Sequence, residues 1–306
     1  MWLCGDIGGT HARLAPFDSG ALGEVRKYAS GDHRDATALV VTWMRETGLR
    51  PTAACLGIAG PVIGNQCVAT NLPWDLDGAL LSEALGFPVL LINDFHAAAR
   101  GVSRLGESDR VQVGGGLPVM GAPVGVIGAG TGLGQAIVVG GSVVAGEGGH
   151  AEFGAGTTRE AALAVWLMER HGRASWEHVL SGPGLVRLAR FTLEEGGLEV
   201  PAWLDHPNAP QRVMETMPDV VEWFAELYGA EAGNLALRSL AHGGVYVCGG
   251  IAPRMLPTLL AGGFRRRFEA KGKVGAAIAA VPVFVVTHPA LGLLGAAEDL
   301  SLLAER

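Results

Sequence analysis

Short apolar runs, most of them ended by glycine, set the rhythm of the chain. Residues 2–6 read as a buried strand and Gly8-Gly9-Thr10 as a turn. Residues 13–17 and 25–28 read as further strands of an antiparallel meander. Helical periodicity covers residues 36–46 and stops at Gly48. Residues 53–59 form an apolar stretch of strand length. Residues 77–85 predict a short helix, with Asp77 as its N-cap and Gly86 as its stop. Residues 89–92 are a strand that runs into Asn93-Asp94, and a helix follows through Ala97-Ala98-Ala99.

A second cycle then begins. Residues 124–127 read as a strand, 128–134 as a turn and 136–139 as the returning strand. Residues 219–241 predict a long amphipathic helix stopped by Gly243-Gly244. Residues 245–248 form a buried strand ending at Gly249-Gly250, 281–286 the last strand and 293–303 a closing helix. The two cycles resemble each other weakly. Gly5 to Thr10 and Gly128 to Gly134 are both glycine/threonine hairpin turns leading into an apolar strand. A duplicated α/β unit of this kind would bring the two turns together across a central cleft.

Composition narrows the function classes. With 306 residues, 49% of them hydrophobic and 17% charged, the chain can bury a large core and is not disordered. A net charge of −7 argues against a nucleic-acid partner, which needs clustered Lys and Arg. The densest basic run, Arg265-Arg266-Arg267, reads as the solvated face of a helix. The 47 glycines lack the three-residue period of collagen, so they mark tight turns and close approaches of backbone to a ligand. Cys4, Cys55, Cys67 and Cys248 show no metal-ligand spacing and read as free thiols of a reducing cytoplasm. The N-terminus opens directly into a strand, with no basic segment and apolar signal core. Residues 111–146 are uncharged but crowded with glycine and interrupted by Pro118 and Pro123, which suits hairpins better than a membrane span.

Each candidate for chemistry has a plain reading beside the functional one. Backbone N–H groups in a glycine-rich turn can converge on phosphate oxygens, and a threonine hydroxyl adds a donor. Neither turn is a P-loop or a dinucleotide fingerprint, and either can be an ordinary hairpin. Asp6 beside the first turn would repel phosphate unless a cation intervenes, so it suits holding Mg²⁺, directly or through water. Asn93-Asp94 stands at the C-terminal end of a strand, where open α/β sheets bind ligands. Asp94 there is a catalytic base or a helix cap. Gly146-Glu147-Gly148-Gly149-His150 puts an acid and an imidazole in one loop, suited to polyol hydroxyls or simply solvated. Gly249-Gly250 would let a flat ring lie on the backbone, or make a tight strand-to-helix turn.

Taken in order, these motifs resemble the bacterial glucokinase family, on the actin-like ATPase fold shared by hexokinases. The likeness runs from Gly5 to Gly295. Asp6-Ile7-Gly8-Gly9-Thr10-His11-Ala12-Arg13 resembles the first phosphate motif and Gly128 to Gly134 the second. Ile92-Asn93-Asp94-Phe95 resembles the catalytic segment. Gly146 to His150 and Glu177-His178-Val179-Leu180-Ser181-Gly182-Pro183-Gly184 resemble the sugar-binding segments. Gly249-Gly250-Ile251 resembles the adenosine motif and Gly292-Leu293-Leu294-Gly295 its C-terminal partner.

The resemblance implies an α/β, two-domain actin-like (ribonuclease H-like) fold, with duplicated mixed-sheet units flanking a central cleft. A small domain would span 1–104, completed by the closing segment 289–306, and a large one 105–288. It implies transfer of phosphate from ATP-Mg to the C6 hydroxyl of D-glucose, with Asp94 as general base. Asn93, Asp94, Glu147, His150 and Glu177 would hold the sugar. Asp6, Gly8, Gly9, Thr10, Gly130, Thr131, Gly249 and Gly250 would hold ATP, with Asp6 near Mg²⁺ through water. It further implies a cytoplasmic homodimer with no nucleic-acid or membrane partner. His11 stands where the family usually has asparagine, so the first turn is expected to differ in a hydrogen bond. The cysteine-rich zinc motif of the related ROK sugar kinases is missing, which points to the zinc-free branch. A kinase for another hexose, a sugar-responsive regulator of the same fold and an actin-like ATPase or chaperone are the alternatives.

Overall fold

The first apolar run and its turn fold as the meander that their alternation predicts. The computed structural model describes residues 1–68 and 74–304. Residues 69–73 of the predicted small domain, and 305–306 of its closing segment, lie outside the described residues. The chain divides into two compact units, residues 1–106 with 288–306, and residues 107–287.

In the first unit, strands β1 (Trp2–Ile7), β2 (His11–Asp18), β3 (Ala21–Leu22) and β4 (Arg26–Ala29) precede helix α1 (Ala36–Thr47). Strand β5 (Ala54–Ile58) and a small sheet of β6 (Val62–Ile63), β7 (Gln66–Val68) and β8 (Asp75–Asp77) follow. Helix α2 (Gly78–Leu85), strand β9 (Val89–Asn93) and helix α3 (Asp94–Gly101) complete this part. The main sheet runs β3-β2-β1-β5-β9, with β4 also on β2. Strands β1, β5 and β9 are parallel, and β2 turns back antiparallel on β1.

In the second unit, β10 (Arg110–Gly114), β11 (Val124–Ala129), β12 (Leu133–Val139) and β13 (Ser142–Gly146) lead into α4 (Thr158–His171), α5 (Trp176–Val179), α6 (Gly182–Glu195), α7 (Ala209–Thr216) and α8 (Pro218–Ser239). Strand β14 (Gly244–Cys248), helices α9 (Leu256–Leu260), α10 (Gly263–Glu269) and α11 (Gly275–Ala279), and strand β15 (Val283–Val286) finish it. Its sheet runs β10-β15-β14-β11-β12-β13. Read from the hairpin, β13-β12-β11-β14-β15 repeats the order β3-β2-β1-β5-β9, and in both units the third, fourth and fifth strands of that order are parallel. The weak sequence likeness of the two cycles is therefore a likeness of topology. The first glycine/threonine turn joins β1 to β2 and the second joins β11 to β12, the matching hairpins of the two sheets.

The chain returns to the first unit in helix α12 (Leu291–Ala304). Alternation along β1 sorts the two faces of that sheet. Leu3 and Ile7 join Leu39, Trp43 and Leu56 in one buried cluster, while Cys4 joins Ile92, Ala97 and Leu293 in another. Both faces are covered, as parallel strands require.

The local punctuation reads as expected. The Asp77 carboxylate accepts from Ala79 N and Leu80 N at the start of α2, and Gly48 and Gly86 end α1 and α2 in the left-handed region. Two expectations change. Helix α8 is not amphipathic: fourteen of its residues are buried, among them Trp223, Phe224, Tyr228 and Leu235, because it crosses the middle of the second unit's core. Nor is the basic run a solvated face. Arg265 donates to the carbonyls of Ala279 and Val281, and Arg267 pairs with buried Glu160, leaving only Arg266 mostly exposed. All four cysteines are buried free thiols, and burial pushes Cys4 up to about 12. Among the described residues no helix is long and apolar enough to cross a membrane.

Candidate active site

Three residues, Gly8-Gly9-Thr10, link β1 to β2, and Gly9 and Thr10 are exposed. Gly8 N donates to His11 O at 3.0 Å, so the turn is closed by backbone and the unusual His11 side chain takes no part in that bond. Ser30, almost fully buried, clamps the turn from beneath: its Oγ donates to Gly8 O at 2.7 Å and its N–H to Thr10 O at 3.0 Å. Asp6 lies at the end of β1. Its Oδ2 pairs with Arg13 at 2.5 Å, and Arg13 also donates to Pro289 O at 2.7 Å. The Asp6 carboxylate therefore meets a ligand with one oxygen committed.

At the end of β9 the capping role falls to Asn93. Asn93 is the N-cap of α3, its Oδ1 accepting from Phe95 N at 2.9 Å and His96 N at 3.0 Å. Its Nδ2 donates to Gly60 O at 3.0 Å and to Asp94 Oδ1 at 3.1 Å. The neighbour does the capping, and Asp94 sits as the first helical residue, with Oδ1 also accepting from Phe95 N at 2.9 Å. Asn93 has spent both halves of its amide inside the protein. A sugar hydroxyl at Nδ2 would have to replace Gly60 or Asp94. Burial first, and the negative charge of Asp94 second, push the nearby Cys67 thiol up.

The turn of the second unit is tighter than the sequence reading. Gly128 and Gly134 are paired strand residues, so only Gly130-Thr131-Gly132 form the connection. Gly130 N donates to Gly132 O, and Gly182 N, at the start of α6, donates to Gly130 O, each at 2.8 Å. Glu177, on α5, reaches the same turn: its Oε2 accepts from Leu133 N at 2.9 Å. Its Oε1 lies 3.9 Å from His150 Nδ1, and Glu147 Oε2 lies 4.0 Å from His150 Nε2. The structure thus gathers Glu147, His150 and Glu177, and attaches that group to the turn by way of Glu177. Burial pulls the Arg187 guanidinium below its ordinary value and the charge of Glu177 opposes that, so a cation stands beside the acid. Gly249, at φ +84, lies over Ala129, with only 2.4 Å between a Cβ there and Ala129 O, while Gly250 is open. Only glycine fits position 249.

Gly132 offers a direct test of the Glu177 contact. A Cβ on Gly132 would stand 2.4 Å from Glu177 Oε2, the movable end of a side chain. Gly132→Ala is expected to fold, with its stability lowered by about 0.5–1.5 kcal/mol for the lost Leu133 N to Glu177 hydrogen bond. Its kcat/KM should fall about 10–100-fold, because Glu177 must leave the turn. Steady-state kinetics beside a thermal melt read both.

Three supporting residues escape sequence reasoning: Ser30, Gln135 and Tyr228. Tyr228, fully buried on α8, accepts from Ala129 N at 2.9 Å and holds the end of β11 ahead of the turn. An open groove of about 650 Å³ in the first unit, lined by Val41, Met44, Arg45, Arg50 and Phe87 among others, includes none of the sequence-selected residues. It lacks an acid, so chemistry rather than size locates the site.

A family model described as Glucokinase matches residues 3–302. A glucokinase of Psychromonas ingrahamii is 39% identical over 309 residues, covering 97% of this chain and 96% of that protein. One of Citrobacter koseri is 38% identical with the same coverage. The crystal structure of a glucokinase from an Antarctic psychrotroph superposes with a TM-score of 0.85 at 32% identity, covering 98% of each chain. A ROK family glucokinase from Streptomyces griseus, solved with glucose and AMPPNP, shares the fold at a TM-score of 0.68 and 22% identity, over 97% of this chain and 98% of that one.

Proposed function

This chain belongs to the glucokinase family, an ATP-dependent hexose kinase of actin-like fold that phosphorylates glucose, and on that premise we propose how its residues divide the work. Asp94 accepts the proton of the C6 hydroxyl as O6 forms its bond to the γ-phosphorus and the bond to the ADP oxygen breaks. The observation that carries this reading is the N-cap of α3: Asn93 makes the capping bonds and orients Asp94. Glu147, His150 and Glu177 accept and donate to the remaining sugar hydroxyls, with Asn93 joining them by exchanging one Nδ2 partner. Amides of Gly9, Thr10 and Thr131 meet the phosphates, while Gly8 and Gly130, whose N–H groups donate to His11 O and Gly132 O, shape the two turns around them. The backbone at Gly249 and Gly250 lies against the adenosine. The transition state of phosphoryl transfer is loose, so these groups act by position and charge.

Mg²⁺ neutralises phosphate charge when it arrives with the nucleotide. Asp6 would hold it through water, since Arg13 already occupies Oδ2. Among the described residues no three His, Cys, Asp or Glu side chains gather as a metal site. We read the domains as residues 1–104 with 289–306, and 105–288. Four free thiols favour a cytoplasmic enzyme, and the family resemblance carries the homodimer.

A coupled ADP assay with ATP and Mg²⁺ over glucose, mannose, fructose and glucosamine tests the reading. Glucose is expected to exceed each of the others about ten-fold or more in kcat/KM. Equal turnover of another hexose would overturn the glucose assignment.

A further inference from the structure

Beneath the loop that carries Glu147 and His150 lies a buried polar network. Gln135, on β12, is directly opposite Gly146 in the β12–β13 ladder and is 5% exposed. Its side chain runs under the loop. Its Oε1 and Cδ lie 2.4 and 2.8 Å from where a Cβ on Gly148 would stand. Both ends of the amide are gripped from α8. Gln135 Nε2 donates to Glu231 Oε1 at 2.8 Å, and Arg238 donates to Gln135 Oε1 at 3.3 Å. Glu231 is fully buried and pairs with Arg238, while its Oε2 accepts from Asn234 Nδ2 at 3.0 Å. Asn234 Oδ1 accepts in turn from Lys271 Nζ at 2.8 Å. Residues 231, 234 and 238 share one face of the helix, so the network is part of α8 itself.

A fully buried carboxylate is costly unless every partner stays in place. The same arrangement fixes Gln135, because its amide satisfies Glu231 and is satisfied by Arg238. Gly148 then rests on that amide, and Gly149 is seated one step along, where a Cβ would be 2.0 Å from Leu133 O. The short turn Gly148–His150, closed by His150 N to Glu147 O at 3.0 Å, carries Glu147 and His150 at its two ends. Arg173 pins it further by donating to His150 O at 2.7 Å.

We propose that Gln135, held by Glu231 and Arg238, is a positioning residue for sugar recognition: its side-chain amide is the floor that sets Gly148, and with it Glu147 and His150. The inference rests on the reading that Glu147 and His150 bind the sugar. A network that merely secured α8 to β12 would affect stability and leave the balance between the two substrates alone.

The test is a double-mutant cycle on the full-length enzyme, with Gln135→Ala, Gly148→Ala and the double variant, read as KM for glucose and for ATP beside thermal melts. Each single variant is expected to raise the glucose KM about ten-fold, about 1.4 kcal/mol, while the ATP KM stays within about two-fold. Gly148 lies outside the left-handed region, so its substitution probes space alone. Removing the Gln135 amide leaves only its Cβ, 3.4 Å from the new methyl, so the double variant should be no worse than Gln135→Ala. Glu147→Gln and His150→Ala are measured beside them. If these two leave the glucose KM unchanged, the sugar assignment fails, and the proposal with it. If they raise it while folded Gln135→Ala does not, or if the cycle is additive, the Gln135 proposal alone is overturned. Should Gln135→Ala not fold, Gly148→Ala, which keeps every network member, decides the matter: an unchanged glucose KM refutes it.

Discussion

Replacing Asp94 with asparagine is expected to lower kcat about 10²–10⁴-fold while glucose binding stays within a few-fold. The substitution removes the carboxylate that takes the proton and keeps the hydrogen bonds described for its Oδ1. An asparagine Oδ1 can still accept from Phe95 N, as Asp94 Oδ1 does at 2.9 Å, and can still face Asn93 Nδ2. The capping bonds of α3 come from Asn93, so the melting temperature should hardly move. Asn93→Ala is the informative contrast. It removes a cap, for about 0.5–2 kcal/mol of stability, and frees Asp94 from its orienting amide, so both melting temperature and kcat should fall. A coupled ADP assay, with glucose titrated against intrinsic tryptophan fluorescence, separates turnover from binding. Near-normal turnover by a folded Asp94→Ala or Asp94→Asn enzyme would remove Asp94 from the reaction.

Much of this was legible locally. Asp77, Gly48 and Gly86 stop and start helices by rules that act over a few residues, and each does so here. The two glycine/threonine turns were visible as motifs, and their duplication holds at the level of strand order. What was not legible depends on distant pairing. Ser30 clamps Gly8 from 22 residues away, Gln135 meets Glu231 across 96, and Tyr228 reaches Ala129 across 99. No window of sequence contains both partners. The misreading of α8 has the same origin: its polar positions Glu231 and Asn234 look like a solvated stripe until Gln135, Arg238 and Lys271 are found against them. Residues 151–218 suggested no elements, although Thr157, Ser175 and Ser181 cap α4, α5 and α6 in the ordinary way. There the capping signals are present in the sequence, and α4 and α6 run for 14 residues each.

The second large effect is expected at Gly295, which the family resemblance groups with the adenosine motif. Here it has a different neighbour. A Cβ on Gly295 would lie 1.7 Å from Ala97 O and 2.9 Å from Gly101 N, and one on Gly101 would lie 2.3 Å from Leu291 O. Helices α12 and α3 therefore meet backbone to backbone, and no side chain can yield. Gly295→Val must lift α12 from α3, at a cost of about 1–3 kcal/mol or more. The melting temperature should drop by several degrees, which a thermal scan reads directly. Helix α3 starts at Asp94, so kcat for glucose should fall as well, even below the melting transition. Gly292→Ala makes the comparison sharp. Its nearest atoms, on Asp6, stand at 3.5 Å, an ordinary contact, so it should melt like the parent. An adenosine role alone predicts the reverse pattern at Gly295, an elevated ATP KM with an intact fold. A valine there that left the melting temperature and kcat untouched would refute the packing account.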